Sequence, residues 1–348
     1  MRPNTKIHCW AFLTIFALAA LRQCTLPRTP FPLANLAAFE ADAQQPTQAL
    51  PLKPNSVRFA IIGDSGSGDS FQNEVAQQMI KTRANFPFEF VIMLGDNIYG
   101  GHSPQDFSLK FEQPYKALLD AGVKFYASLG NHDDPSERFY KPFNMGGQRY
   151  YAYSKGNVRF IVLDSNYMNT TQFDWLEKEL QAATSPWKIV YFHHPLYSDG
   201  QFHGPDTDLR VHIEPLFEKY GVDVVFSGHD HVYERFKPQH GIYYFVLGNA
   251  GELRFHNLKK SSEMAAGFDE DRCFMVAEIA GDELYFQTIS RAGVTVDSGV
   301  ILRVAKKTGV VSWPTLRPGY GGLSYPFSTI LPPHQTGILA SSHSLGSS

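Results

Sequence analysis

Residues 57–66 read VRFAIIGDSG, and residues 88–99 read FEFVIMLGDNIY. Each segment contains an apolar run typical of a buried strand, and each run leads into Gly-Asp. Three later segments repeat this arrangement, in which a β-rich run leads directly into polar residues: Lys124–Leu129 before Gly130–Asp133, Lys188–Phe192 before His193–Pro195, and Val222–Ser227 before Gly228–His231. The chain therefore predicts five strands that each deliver polar side chains at one end.

Helical and hairpin patterns lie between these runs. Two segments have apolar residues at the spacing of a helix face: Phe71, Val75 and Met79 in the first, and Phe173, Leu176 and Leu180 in the second. We expect Thr170 or Thr171 to cap the second helix. Two further segments resemble antiparallel hairpins with turn residues at their centres: Tyr150–Val162 around Lys155–Asn157, and Phe274–Ile289 around Gly281–Asp282. These patterns predict an α/β domain with mixed sheets.

The five polar clusters are expected to meet in space. Open α/β sheets bind their ligands beyond the carboxyl ends of the strands, and each cluster directly follows a predicted strand. The clusters carry carboxylate, phenolate, carboxamide and imidazole groups, which are the ligands of hard and borderline cations. Each cluster alone is also compatible with a turn, but their joint occurrence favours a dinuclear metal site.

Two cations about 3.5 Å apart require an anion that bridges them and separate ligands on either side. Asp96, at a strand end, is our candidate for the bridge. His229 and His231 are two residues apart, so on an extended backbone they face the same way and could serve adjacent metals. Neighbours in a strand face opposite sides, so we expect only one of His193 and His194 to bind.

The motifs carry a family resemblance. The order Gly-Asp, Gly-Asp-x-x-Tyr, Gly-Asn-His, His-x-Pro and Gly-His-x-His resembles the metallophosphoesterases over approximately Val57 to Ile289. Tyr99, three residues after Asp96, resembles the purple acid phosphatases, a group that includes tartrate-resistant acid phosphatase. This resemblance implies a four-layer α/β/β/α sandwich of two mixed sheets, which some schemes class as α+β. It also implies an acid phosphatase that acts on small phosphate monoesters.

The resemblance further implies a role for each residue. It assigns Asp64, Tyr99 and His231 to Fe(III), and Asn131, His193 and His229 to a divalent iron, zinc or manganese ion, with Asp96 between the two metals. His193 is preferred to His194 because the family spaces this ligand as His, any residue, Pro. His132 and His203 would face the substrate and protonate the leaving alkoxide after a metal-bound hydroxide attacks phosphorus.

Composition and the chain ends bear on localisation. The 348 residues are 43% hydrophobic and carry a formal net charge of −3, which argues against a general nucleic-acid binder. Arg2 and Lys6 precede an apolar run from Cys9 to Leu21 that fits a secretory signal, so we expect a secreted or periplasmic protein without other membrane insertion. The predicted organisation is a signal peptide or N-terminal anchor over residues 1–24, a linker over 25–56, the catalytic domain over 57–305, and a Pro/Gly/Ser-rich tail over 306–348.

Three other functions remain compatible with parts of the sequence. A phosphodiesterase or nucleotidase would use the same metal ligands, because specificity lies in the loops at the rim. Gly63-Asp64-Ser65 also resembles the first block of the SGNH serine esterases, but no aspartate is followed three residues later by the histidine that this family requires. An exported metal- or phosphate-binding protein without activity is the non-enzymatic alternative.

Overall fold

The computed structural model describes residues 50–303. Within this range the strands are β1 (Val57–Ile62), β2 (Phe90–Met93), β3 (Lys124–Ala127), β4 (Tyr151–Lys155), β5 (Val158–Val162), β6 (Trp187–Tyr191), β7 (Val224–Ser227), β8 (Tyr233–Phe236), β9 (Tyr243–Leu247), β10 (Met264–Phe268), β11 (Cys273–Ala280), β12 (Glu283–Ser290) and β13 (Thr295–Leu302). The α-helices are α1 (Ser70–Asn85), α2 (Pro104–Phe107), α3 (Lys116–Asp120), α4 (Thr170–Ala182) and α5 (Thr207–Tyr220). A π-helical turn covers Ser108–Glu112, and 3-10 turns cover Pro135–Phe139, Lys141–Phe143 and Ser165–Tyr167.

Two sheets form the centre of the fold. The first has the order β13-β12-β11-β1-β2-β3, in which β1, β2 and β3 run parallel. The second has the order β10-β8-β9-β7-β6-β5-β4, in which β5, β6, β7 and β9 run parallel. Both sheets also contain antiparallel pairs, such as β1 with β11 and β4 with β5. The prediction of mixed sheets is confirmed.

The two faces of each sheet build separate cores. Successive side chains of a strand face opposite sides, so Phe59 of β1 packs in one cluster with Phe160 of the second sheet, whereas Ala60 packs in another with Val75 of α1. A third cluster joins the outer face of the second sheet to α4 and α5. The layers are therefore helix, sheet, sheet and helix, which confirms the implied four-layer α/β/β/α sandwich.

Most of the segments predicted on either side of the catalytic domain lie outside the described residues. These are the predicted signal peptide or anchor, most of the linker, and the C-terminal tail. The last residues of the predicted linker contact the domain, because the backbone N–H groups of Leu52 and Lys53 donate to the Glu278 carboxylate at 2.8 and 2.5 Å. None of the helices in residues 50–303 is long and apolar enough to cross a bilayer.

The predicted elements are present, with two local differences. The five strands that precede the polar clusters are β1, β2, β3, β6 and β7, and both hairpins form. The predicted cap at Thr170 or Thr171 is wrong, since the side chain of Asn169 accepts the N–H of Gln172 at 3.0 Å and caps α4. Phe71 is 37% exposed rather than on the buried face of α1.

Candidate metal centre

The predicted ligands lie together at the carboxyl ends of strands from both sheets. The strands supply them in this order: Asp64 after β1, Asp96 and Tyr99 after β2, Asn131 after β3, His193 after β6, and His229 and His231 after β7. Backbone hydrogen bonds join the loops, for example from the N–H of Asp64 to the Gly95 carbonyl at 3.0 Å. Another runs from the N–H of Gly228 to the His193 carbonyl at 2.9 Å. Residues far apart in the sequence therefore converge.

The loops around the site have an unusual backbone. The φ angles of Asp64, Asp96 and His229 are 52°, 50° and 70°, which is the left-handed region. Non-glycine residues there cost roughly 1–3 kcal/mol and cluster at functional sites. Gly130 and Gly228 pack so closely that a Cβ atom would meet a carboxylate oxygen of Asp96 at 2.1 Å or of Asp64 at 2.4 Å. The backbone thus encloses both carboxylates tightly.

A first donor set comes from Asp64, Tyr99 and His231. The Oη atom of Tyr99 lies 3.2 Å from Oδ1 of Asp64 and 3.3 Å from Nε2 of His231. The same Oδ1 atom lies 3.4 Å from Nε2 of His231. The other oxygen of Asp64, Oδ2, accepts the backbone N–H of His229 at 2.9 Å. Asp64 therefore uses one oxygen to bind the backbone and presents the other to the set.

A second donor set comes from Asn131, His193 and His229. The Nε2 atom of His193 lies 2.9 Å from Oδ1 of Asn131 and 3.1 Å from Nδ1 of His229. Asp96 lies against both sets. The Oδ2 atom of Asp96 lies 3.5 Å from Nε2 of His193 in the second set. A carboxylate oxygen of Asp96 also lies within 4.8 Å of donor atoms of Asp64 and His231 in the first set. Asp96 thus has the position that a bridging ligand requires.

These donor atoms have the spacing and chemistry of metal ligands. With metal–ligand bonds of roughly 2.0–2.2 Å, neighbouring ligand atoms lie roughly 2.8–3.6 Å apart, and the contacts above fall in this range. The Leu94 carbonyl, 3.0 Å from Nδ1 of His193, can only accept, so Nδ1–H donates to it and Nε2 is left with a lone pair. That lone pair faces the oxygen of Asn131, and a cation between them would satisfy both atoms. The residues fit a two-metal centre.

The electrostatics of the site also fit bound cations. Burial raises the pKa of Asp64 well above its usual value, and the charge of Asp96 raises it further. Burial likewise raises the pKa of Asp96 and of Tyr99. Burial lowers the pKa of His193 and of His229, so both imidazoles are neutral, which is the form that binds metals. Cations here would stabilise the anionic forms of the carboxylates and the phenol.

The two histidines predicted to face the substrate are exposed beside the donor sets. The backbone N–H of His132 donates to Oδ1 of Asp96 at 2.9 Å, and its ring centroid lies 4.9 Å from that of Tyr99. The ring centroid of His203 lies 4.0 Å from that of His229. Both side chains are therefore next to the place where a group bound by the donor sets would lie.

His194 lies closer to the donor sets than the strand argument predicts. Because β6 ends at Tyr191, His193 and His194 follow the strand and do not alternate within it. Their ring centroids lie 4.9 and 4.5 Å from that of His229. The expectation that they face opposite sides is therefore wrong. The two histidines differ in their contacts. His193 is completely buried and contacts Asn131, whereas the Nδ1 atom of His194 contacts Oγ of Ser165 at 2.8 Å.

Two aspartates inside the motifs hold the loops, a role that the sequence analysis missed. Asp133 accepts the backbone N–H groups of Asn97 and Gly130 at 2.7 and 2.8 Å, and so joins the loops after β2 and β3. Asp230 accepts the backbone N–H of His203 at 3.3 Å and holds the loop that carries it. The signal for both was a carboxylate within two residues of a predicted ligand, which a turn also explains.

A cavity of about 360 Å³ adjoins Asn131. Its wall includes Arg149, Asn166, His194 and Asp206. Among the described residues, the Nη2 atom of Arg149 and the Oδ1 atom of Asn166 are buried without a hydrogen-bond partner. Both residues line the cavity beside the second donor set, although these two atoms are themselves enclosed by the protein.

The calcineurin-like phosphoesterase family matches residues 57–233. This chain belongs to that family. The matched segment contains every predicted ligand, from Asp64 to His231, together with His132 and His203. The predicted metallophosphoesterase family is confirmed.

The curated relatives are acid phosphatases. Purple acid phosphatase 17 of Arabidopsis thaliana is 28% identical over 232 residues, which are 56% of this chain and 68% of that protein. Fe(3+)-Zn(2+) purple acid phosphatase 12 of the same plant is 38% identical over 221 residues, or 56% of this chain and 46% of that protein. Tartrate-resistant acid phosphatase type 5 of Rattus norvegicus is 24% identical over 290 residues, which are 69% of this chain and 88% of that protein. The chain spans about half the length of several other plant purple acid phosphatases. The predicted resemblance to purple acid phosphatases is confirmed.

Two solved structures share the fold. GAP50, the anchor in the inner membrane complex of Plasmodium, has a TM-score of 0.63 and 21% identity, over 73% of this chain and 90% of that chain. Purple acid phosphatase PPD1 of yellow lupin (Lupinus luteus) has a TM-score of 0.60 and 20% identity, over 72% and 54%. At these identities the likeness concerns the fold alone, which one protein named as an anchor and one named as a phosphatase have in common.

Proposed function

We propose that this protein is an acid phosphatase that hydrolyses small phosphate monoesters at a centre of Fe(III) and a divalent metal. The observation that supports this most directly is the position of Asp96, whose carboxylate lies against both donor sets. In the proposal the ligands are divided as follows: Asp64, Tyr99 and His231 on Fe(III), Asn131, His193 and His229 on the divalent ion, and Asp96 on both.

The donor types support this choice of metals. Carboxylate and phenolate oxygens suit a hard ferric ion, whereas two imidazoles and a carboxamide suit a divalent ion of intermediate hardness. The relative that is 38% identical over 221 residues carries Fe(3+)-Zn(2+) in its name. Divalent iron, zinc and manganese all match the second donor set, because availability decides among them as much as the ligands do.

The chain's own residues would position the reacting groups and move the proton. When bound, the two cations would supply a nucleophile derived from water and stabilise charge on the phosphoryl oxygens. The hydrogen bond from His229 to Asp64 keeps the Asp64 carboxylate in one orientation. His132 and His203 are exposed next to the donor sets, so either can donate a proton to the oxygen of the leaving alcohol.

The cavity beside Asn131 is the proposed place for the alcohol part of the substrate. Its volume of about 360 Å³ lies at the lower end of the range of small-molecule pockets, roughly 300–1,000 Å³. Polar residues, among them Asn131, Arg149, Asn166, His194 and Asp206, line this cavity, and they suit hydroxyl groups, which can both accept and donate. A small alcohol with polar substituents is therefore favoured over a large apolar one.

We also propose that the protein acts outside the cytoplasm, in a secreted or periplasmic form. The support is the sequence pattern in which Arg2 and Lys6 precede the apolar run from Cys9 to Leu21. Expression of the full chain in its host, followed by fractionation and mass measurement of the N-terminus, tests this. A product that retains Met1 in the cytoplasm would contradict it.

The decisive experiment is an assay of the full chain loaded with ferric iron and zinc. We expect about two metal ions per chain and release of phosphate from 4-nitrophenyl phosphate in mild acid. Asp96→Ala should lower the metal content and reduce turnover more than about a hundredfold, because both donor sets lose a ligand. Asp174→Ala, at an exposed position of α4, is the matched control and should change neither quantity.

The other functions give different results in the same assay. Protein that holds two metals but releases no phosphate from any monoester would contradict the phosphatase and favour a metal- or phosphate-binding protein. Faster hydrolysis of bis(4-nitrophenyl) phosphate than of the monoester would favour a phosphodiesterase. Loss of activity with serine-directed fluorophosphonates would contradict metal-dependent hydrolysis.

A further inference from the structure

Arg254 is a cation beside the candidate metal centre that lacks an anionic partner. It lies between β9 and β10, and its backbone N–H donates to the carbonyl oxygen of His231 at 2.9 Å. Its Nε atom is buried without a hydrogen-bond partner, and within residues 50–303 no carboxylate forms an ion pair with its guanidinium group. The guanidinium group therefore lies next to a predicted iron ligand without an ion-pair partner among the described residues.

Three other partly buried arginines among the described residues are neutralised by aspartates: Arg149 by Asp164, Arg235 by Asp297, and Arg291 by Asp271. Arg58 and Arg272 resemble Arg254 in forming no ion pair, but neither lies next to a predicted metal ligand. Removing a charge from water costs free energy unless a partner compensates for it. An unpaired guanidinium beside a site where phosphate esters would bind is therefore a feature that a bound anion would explain.

Phe202 fixes the position of this guanidinium. The Cζ atom of Arg254 lies 3.8 Å from the centroid of the Phe202 ring. That ring is 57% exposed and meets the ring of His203 edge-on at 4.6 Å. Stacking on an aromatic face leaves the N–H edge of a guanidinium free to bind two oxygens of a phosphate or carboxylate. Arg254 is thus held at the rim of the site, next to a histidine proposed to face the substrate.

Geometry also places Arg254 beside the site. Its backbone N–H donates to the carbonyl oxygen of His231, and the Phe202 ring on which its guanidinium group stacks contacts the ring of His203. Arg254 belongs to neither donor set, and those sets already account for the phosphoryl group that would be transferred.

We propose that Arg254, stacked on Phe202, is a subsite for a second anionic group of the substrate, with phosphate as its preferred chemistry. This inference rests on the proposed phosphatase function and narrows its substrate class to compounds that carry a further phosphate besides the transferred one. The substrate is then either a phosphomonoester with a second phosphate elsewhere on the alcohol, which leaves as a phosphorylated alcohol, or a phosphoanhydride, in which the second phosphate itself is the leaving group. The rim position of Phe202 supports contact with the part of the substrate that extends beyond the metals.

The experiment compares probes with and without a second phosphate. The metal-loaded full chain is assayed with 4-nitrophenyl phosphate, inorganic pyrophosphate and fructose 1,6-bisphosphate. Arg254→Gln should lower kcat/KM about tenfold or more for a probe with two phosphates, mainly through KM, because a charge-assisted hydrogen bond is lost. For 4-nitrophenyl phosphate the decrease should be much smaller. Arg254→Lys should recover part of the lost kcat/KM, since lysine keeps the positive charge but lacks the planar pair of N–H donors.

Arg272→Gln is a matched control. The Cζ atom of Arg272 also lies 3.8 Å from an aromatic ring, that of Phe71, but its Nε donates to the Gly251 carbonyl at 2.8 Å. This variant should leave the ratio of the probes unchanged. A loss for pyrophosphate alone would identify a directly linked second phosphate, and a loss for the bisphosphate alone would identify a distant one. Either result supports the subsite.

Two outcomes would overturn the subsite. Equal losses on all three probes would mean that Arg254 contacts the transferred phosphoryl group, and no loss on any would mean that it contacts no substrate. Calorimetric binding of pyrophosphate to the full chain gives a separate readout, and Arg254→Gln should weaken it more than it weakens binding of orthophosphate. If the wild-type chain hydrolyses no monoester, the proposed function fails, but this binding comparison still decides the role of Arg254.

Discussion

The backbone N–H of His229 donates to Oδ2 of Asp64 at 2.9 Å, across 165 positions of the chain. Asp64 follows β1 of the first sheet and His229 follows β7 of the second, so this hydrogen bond joins the two sheets at the candidate metal centre. It also orients the carboxylate so that Oδ1 faces Tyr99 and His231. The geometry of the donor atoms therefore depends on how the two sheets pack together.

Asp64→Asn should separate the role of the charge from that of the shape. The amide oxygen can still accept the N–H of His229, while a buried charge is removed. Because burial raises the pKa of Asp64, we expect the metal-free variant to be at least as stable as the wild type near neutral pH. The metal-loaded variant should bind about one metal less and gain less stability from metals. Calorimetric Tm values with and without metals, together with metal analysis, measure this.

The control for that variant is Asp69→Asn. Asp69 caps α1 through the N–H of Gln72 at 2.9 Å, and asparagine is an equally good cap, so stability and metal content should stay unchanged. Full metal content in Asp64→Asn would show that Asp64 is not a ligand.

Tyr99→Phe should remove the colour of the iron-loaded protein. A phenolate bound to ferric iron absorbs visible light, and the hydroxyl of Tyr99 lies 3.2 Å from Oδ1 of Asp64 in the first donor set. We expect the visible band to disappear and turnover to fall by about one to two orders of magnitude, with the divalent metal retained. Tyr140→Phe is the control. The hydroxyl of Tyr140 donates to Glu112 at 2.6 Å and belongs to neither donor set, so its loss should leave the visible band unchanged. A band that survives in Tyr99→Phe would refute the assignment of this ligand.

Metal binding should release protons. Burial raises the folded-state pKa of Asp64, so between the unfolded value of about 3.9 and the raised value the folded metal-free chain binds more protons than the unfolded chain. The contribution of this group to stability is therefore largest below the unfolded pKa and is lost as pH rises through the folded pKa. A cation that displaces the proton should bind more tightly as pH rises.

Calorimetric titration with zinc, in buffers of different ionisation enthalpy, counts the protons released. Asp64→Asn should release about one proton fewer than the wild type. An apparent enthalpy that is the same in every buffer would contradict the raised pKa.

The strand-end clusters were predictable because their pattern is local. An apolar run that stops at Gly-Asp marks both the strand and the residue that follows it, so Asp64 and Asp96 could be placed from the sequence. The places of His193 and His194 could not, because the argument depended on the residue at which β6 ends. If β6 continued by two or three residues, the side chains of His193 and His194 would face opposite sides of the sheet. Because the strand ends at Tyr191, both side chains can lie on the same side.

Other features depend on contacts that no local pattern encodes. Strand β13 contains Asp297 and Gly299, which are unfavourable in strands, and it was not predicted. In the structure it pairs with β12, and Asp297 forms an ion pair with Arg235 of the second sheet at 2.7 Å. Arg254 was likewise missed, because an unpaired arginine is recognisable only when all of its neighbours are known.

His203→Ala should discriminate between good and poor leaving groups. An alkoxide needs a proton as it leaves, whereas 4-nitrophenolate leaves without one, so only the first reaction depends on a general acid. We expect turnover of an alkyl phosphate to fall by about 10²–10⁴-fold, and that of 4-nitrophenyl phosphate by less than about tenfold. His132→Ala tests the same role for the other exposed histidine, and the larger discrimination identifies the principal acid.

Steady-state kinetics with both substrates measures this discrimination, and His212→Ala provides the control. His212 is exposed on α5 and contacts the Asp208 carbonyl at 2.6 Å, so its loss should change neither rate. Equal losses on both substrates in His132→Ala and His203→Ala would mean that these side chains bind the phosphoryl group and do not protonate the alcohol. Two contacts favour the proton-donating role of His203. Its ring lies 4.0 Å from the ring of His229, and its backbone N–H donates to Asp230, which holds the loop. The loop that carries His203 contains no predicted metal ligand, so the side chain is free to act on the alcohol.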